Sequence, residues 1–149
     1  MFSMFLFIGK LAINAVINKE KIRAKNIWMG MAVEEGFEDR AVFDLIQIAS
    51  KKVKKVEDEK GVRIFHYYSI DVTGQHLTEV MNVASHTLRS PFCLHLVKGD
   101  EMKIVFRGKT FEITKGNVSQ LQSVRSYAME NGVGPIRLQH MFNNPYLDE

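Results

Sequence analysis

The chain has 149 residues, 46% hydrophobic and 25% charged, with one cysteine. That length and balance fit one soluble folded domain with a substantial core, and a lone cysteine excludes an intrachain disulfide framework and a thiolate zinc cluster. The net charge of +3 is uneven: residues 1–28 hold Lys10, Lys19, Lys21, Arg23 and Lys25 against Glu20 alone, so the rest is nearly neutral and its charge is no argument for nucleic-acid binding.

Residues 1–28 open with Phe2, Met4, Phe5, Leu6, Phe7 and Ile8 and continue with Leu11, Ile13, Val16 and Ile17. Ser3, Lys10, Asn14, Asn18 and Lys21 recur at helical spacing, giving an apolar helix with a narrow polar stripe. No basic group precedes the apolar run, as a secretory signal would require. Lys10 and Asn14 interrupt it too early for a membrane span. The favoured expectation is a segment packed against the domain or a partner. An interfacial helix at a membrane surface, with Trp28 and the basic groups at headgroup level, is an alternative; an extension before a start at Met29 or Met31 is another.

Val42, Leu45, Ile46, Ala49, Val53 and Val56 form one helical stripe, so residues 40–58 are expected to be a helix capped by Asp39 and ended by Gly61. Its Lys51, Lys52, Lys54 and Lys55 read as a solvated face. Residues 62–72 alternate as a strand, with Val62, Ile64, His66, Tyr68, Ile70 and Val72 opposite Arg63, Phe65, Tyr67, Ser69 and Asp71. Leu77, Val80, Met81, Ala84 and Leu88 predict a second helix, ended before Pro91. A strand follows over Phe92–Val97. Gly108-Lys109 is expected as a hairpin turn pairing Phe106 with Phe111, which gathers Met102, Ile104, Phe106, Phe111 and Ile113 on one face. Asn117 and Gln120 mark the start of a third helix carrying Leu121, Val124 and Ala128, and Gly132 its end. Ile136–Leu138 reads as a short edge strand.

Catalytic signatures are sparse. Glu79, Asn82 and His86 form a polar row along the second helix, which is expected to be solvated. Cys93 and His95 share a strand face, where a buried thiol is the usual outcome. No phosphate loop, nucleophile elbow or metal motif stands out, and no cofactor is implied. One sheet face is expected to collect Arg63, Phe65, Tyr67, His95, Lys103 and Arg107, opposite a helix-covered face holding Ile64, Leu94, Ile104 and Phe111. Cations interleaved with aromatic rings suit either single-stranded nucleic acid or a protein partner.

The sequence thus predicts an α+β domain over residues 29–142, ordered helix, strand, helix, three strands and helix. About four mostly antiparallel strands carry two or three helices on one face, with a tail at 143–149. The leading expectation is a cytoplasmic, non-enzymatic binding or assembly module that engages a protein partner or associates with itself. A single-stranded nucleic-acid module on the sheet face comes second. A small enzyme built on His86, or on Cys93 and His95, comes third.

Overall fold

A computed structural model describes residues 26–142. The expected N-terminal helix and the 143–149 tail lie outside the described residues. Six strands form the sheet: β1 (Ile27–Val33), β2 (Gln47–Asp58), β3 (Gly61–Thr73), β4 (Cys93–Lys98), β5 (Glu101–Phe106) and β6 (Lys109–Thr114). Three helices accompany them: α1 (Leu77–Thr87), α2 (Val118–Glu130) and α3 (Pro135–Phe142). No helix among the described residues is long and apolar enough to cross a membrane.

Spatially the strands run β2-β3-β1-β4-β5-β6, and every neighbouring pair is antiparallel. The six strands exceed the four expected because two were hidden. β1 begins at Ile27, on the segment side of the boundary set between 28 and 29, and occupies the sheet's interior. It pairs with β3 on one side, through Met31 opposite Ser69, and with β4 on the other, through Met31 opposite His95. β3 and β4 are therefore parallel to each other with β1 between them. Gly30 makes this insertion sterically feasible, because a Cβ there would overlap the His95 carbonyl oxygen of β4.

The second hidden strand corrects the expected helix at 40–58. Only a turn forms at 40–46, where Asp39 Oδ1 accepts from the Ala41 N–H at 2.9 Å. Residues 47–58 then pair along β3, with Val53 opposite His66 and Val56 opposite Arg63. Val53 and Val56 are three apart, so they share a helical stripe but point to opposite faces of a strand. Val42, from the same stripe, is buried in the loop beside Phe37 and Phe43. Gly61, expected as a helix end, instead takes φ +99 where the β2–β3 hairpin turns back.

Helices pack on both faces, not one. Val80, Ala84 and Leu88 of α1 join Trp28, Ile70, Val72, Leu94, Leu96 and Val105. Val124 and Ala128 of α2 join Cys93, Met102, Ile104, Phe106 and Ile113. Leu94 and Cys93 are consecutive, as are Val105 and Ile104, so the two cores lie on opposite sides of the same strands. The cause is legible in β4 and β5: the buried run Cys93-Leu94-His95-Leu96 and the run Ile104-Val105-Phe106 leave no polar face to give to water.

Several local expectations agree with the structure. Met102, Ile104, Phe106, Phe111 and Ile113 do share a face, although the register differs from the one expected: Phe106 pairs with Lys109, and Ile104 with Phe111. The turn is Arg107-Gly108, because Gly108 supplies the positive φ of +72 at its second position. Asn117 caps α2, its Oδ1 accepting from the Gln120 N–H at 3.0 Å. Residues 136–138 belong to helix α3 and not to an edge strand. Pro135 at its first position lacks an N–H where none is needed.

Two substitutions probe this architecture by urea unfolding. Gly30→Ala should cost at least about 1–3 kcal/mol through forced overlap at the β1–β4 crossing. Val53→Ala, on the exposed ribbon, should stay within roughly 0.5 kcal/mol of the parent.

Candidate functional site

The six residues expected on one open sheet face divide between two covered ones. Arg63, Phe65, Tyr67 and His95 lie on the side of α2 and α3, as the Met31 pairings with Ser69 and His95 require. Lys103 pairs with Leu96 and so lies on the α1 side, where its ammonium sits 5.3 Å from the Trp28 ring centre. It also reaches Glu112 at 2.6 Å, which holds that carboxyl below its usual range. Arg107 stands past the end of β5, bonded to Glu38 at 2.6 Å and to the Leu88 carbonyl at 3.1 Å. The mistake lay in strand phase: Leu94 is opposite Val105, so Leu94 and Ile104 face opposite ways. Phe65 is only 3% exposed, and His95 only 7%.

Around Phe65 the structure assembles a group that strand alternation alone does not reveal. The Arg63 guanidinium lies 5.0 Å from the Phe65 ring centre, and the Arg137 guanidinium of α3 lies 4.8 Å from it. Arg137 also contacts the Phe92 ring at 5.6 Å, and Phe92 meets Phe65 edge-on at 5.8 Å. Cations over ring faces are stabilised by the ring quadrupole, and more so when shielded from water.

The hairpin tip ties this group together. Asp58 is buried, paired with Arg63, and accepts from the Lys60 N–H at 2.8 Å. Burial alone would raise its carboxyl, but the Lys60 N–H and the Arg63 guanidinium outweigh that and hold it low. Glu59 accepts from the Ile136 N–H at 2.5 Å and the Arg137 N–H at 3.3 Å, so its carboxylate caps the first turn of α3. His140 Nε2 adds a contact to the Glu57 carbonyl at 3.0 Å. Between these parts lies a cavity of about 190 Å³, lined by Asp58, Glu59, Lys60, Arg63, Pro91, Phe92, Gly134 and Arg137 among others. Sequence reasoning missed Arg137 because its helix is short and its capping acid lies 77 residues earlier. Pro135 at a helix start was the one available signal.

Cys93 and His95 are neighbours, as their strand positions imply, with Sγ and Nε2 at 3.2 Å. Burial drives the thiol up to about 12 and the imidazole down to about 4, with Arg137 acting on both as a weaker influence. The pair is thus a neutral thiol and a neutral imidazole at pH 7, the reverse of the thiolate needed for nucleophilic attack. The row Glu79, Asn82 and His86 is exposed, and His86 Nδ1 contacts the Asn82 carbonyl of its own helix at 2.7 Å.

His66 of β3 is half-buried, just past the point where β1 ends opposite Tyr67. Its ring contacts Glu35, whose carboxylate oxygens also accept from the His66 backbone N–H at 3.0 Å. Burial opposes ionisation of Glu35, but the hydrogen bonds from the His66 ring and backbone hold its carboxyl below the usual range. Glu34, Glu35 and His66 come close enough to share a cation. Glu34 is already bonded to Arg40 at 2.8 Å and Glu35 to the β3 backbone, so these carboxylates serve the fold.

His95 gives the region a pH signature. Its folded value lies below its unfolded one, so between about pH 4 and 6.5 the unfolded chain binds the extra proton. Stability is full above that window and falls as the pH drops through it. Moving from pH 7 to pH 5 should therefore cost about 2 kcal/mol by urea unfolding, and His95→Gln should remove most of that dependence.

No protein-family model matches the chain, and no curated protein or solved structure is similar enough to assign it to a family.

Proposed function

We propose that the protein is a non-enzymatic binding module that takes up an extended acidic segment of a partner protein as an added strand along β2. The observation that carries this reading is the bare face of the β2–β3 ribbon. Val53, Val62 and Ile64 are 56%, 55% and 60% exposed there, and α1 covers only the other end of β3. Exposed aliphatic groups clustered on one surface mark interaction sites more often than scattered ones do.

β2 is an edge strand among the described residues, so its outer N–H and C=O groups offer a ready backbone ladder. Lys51, Lys52, Lys54 and Lys55 select what pairs there. Antiparallel pairing of two copies about Val53 would set Lys51 against Lys55 and Lys52 against Lys54, and directly opposed like charges are destabilising. An acidic strand of alternating pattern sets its carboxylates against Lys52 and Lys54 on one face and its aliphatic residues against Val53 on the other. Nucleic acid is less well served. The Lys51 and Lys54 ammoniums already lie 5.5 Å from the Tyr68 and Tyr67 ring centres, on the rings a base would need. The burial and neutrality of Cys93 and His95 weigh against an enzyme in the same reading. Cys93 as a free, buried thiol suits the reducing setting of the cytoplasm.

Fluorescence anisotropy with labelled peptides tests this. A peptide alternating Glu with Val should bind with salt-dependent affinity, and Lys52→Glu with Lys54→Glu should weaken it by roughly tenfold. Equal binding of a Lys–Val peptide, or tighter binding of a single-stranded polynucleotide, would contradict the proposal.

A further inference from the structure

We propose that the cavity between the β2–β3 hairpin tip and α3 is a binding site for a small oxyanion, a ligand bearing a carboxylate or a phosphate, gripped by Arg137 and Lys60. This site is on the opposite side of the ribbon from the aliphatic face and does not depend on it.

The charges around the cavity lead to this ligand class. Both acids at its wall are already satisfied within the protein, Asp58 by Arg63 and the Lys60 N–H, Glu59 by the first N–H groups of α3. No salt bridge among the described residues engages Arg137 or Lys60, and Arg137 acts on Asp58 only at longer range, as the least of the influences holding that carboxyl low, so both cations remain available to a ligand. Arg63, paired with Asp58, adds a further guanidinium to the same wall. An acceptor-only ligand is what such donors lack.

Shape and rigidity agree with that chemistry. The space of about 190 Å³ suits a small organic anion better than a lone water. Contact with the Phe65 and Phe92 rings restrains the Arg137 guanidinium before any ligand arrives, so less side-chain entropy is lost on binding. Gly134 keeps the floor intact, since a Cβ there would come within 2.5 Å of the Glu59 carboxyl carbon and displace the cap. With Glu59 already holding the helix N-terminus, the ligand's oxygens are directed to the guanidinium and ammonium.

Amide-resolved NMR titration of the full chain tests the site, with inorganic phosphate in one arm and acetate in the other. Chloride is used to hold ionic strength constant. The expected result is saturable shifts at the amides of Lys60, Gly132, Gly134 and Arg137 in at least one arm, and the arm that saturates first identifies the preferred oxyanion. Arg137→Gln should weaken binding at least about tenfold, as loss of a charge-assisted pair does. Should that variant unfold, Lys60→Gln, which alters an exposed side chain, should still weaken binding severalfold. Lys103→Gln, on the other sheet face, should leave it unchanged. Unsaturable shifts in both arms, or equal affinity in the Arg137 and Lys60 variants, would overturn the proposal.

Discussion

The insertion of β1 between β3 and β4 is the constraint on which the other features depend. Its register assigns each neighbouring side chain to a face: Met31 faces the same way as Ser69 and His95, and Gly30 the same way as Ile70 and Leu96. Gly30 has no room for a side chain at this crossing. Once β1 is seated, the apolar runs of β4 and β5 must be covered on both sides, and α1 and α2 do so from opposite faces. Two modest cores result, joined through one sheet.

β2 and β3 extend beyond this double-sided core as a long hairpin. Its tip is fastened on one side only. Glu59 caps α3, Asp58 pairs with Arg63, and Phe65 lies under two guanidiniums. On the other side Val53, Val62 and Ile64 are exposed, and no helix among the described residues covers them. One fastening explains both candidate surfaces: it encloses the cationic cavity beside α3 and, among the described residues, leaves the aliphatic face and the β2 edge uncovered. Lysines along that edge restrain pairing between identical copies while leaving the backbone ladder open to a strand of opposite charge.

How much of this was legible depended on whether a local pattern had one solution. β3 alternated over eleven residues and is a strand, but toward its start the covered and open faces are exchanged, with Phe65 buried and Ile64 exposed. The Asn117 cap and the apolar side of the β5–β6 hairpin are set by neighbours in sequence, and they too were readable. Val53 and Val56 satisfied a helical stripe as well as a strand, and only the demand of β3 for a partner decides between them. β1 was hidden because Ile27–Val33 is apolar on both faces, so it shows no alternation, and Gly30 is a poor strand former. The grouping of Lys103 and Arg107 with Phe65 failed because alternation within a strand does not fix its phase against the next. The Arg137 site joins residues far apart in the chain, which no local pattern encodes.

The central claim is that residues 47–58 form an open edge strand. Amide hydrogen exchange of the full chain, read residue by residue across Lys51–Val56, tests it most directly. An edge strand paired on one side alternates, with N–H groups bonded to β3 protected and the intervening ones exchanging fast. That period-two pattern is expected across β2, with the fast amides slowing when an acidic Glu–Val peptide is added. Uniform protection along the segment without peptide, as a helix or an already covered edge would give, would contradict it.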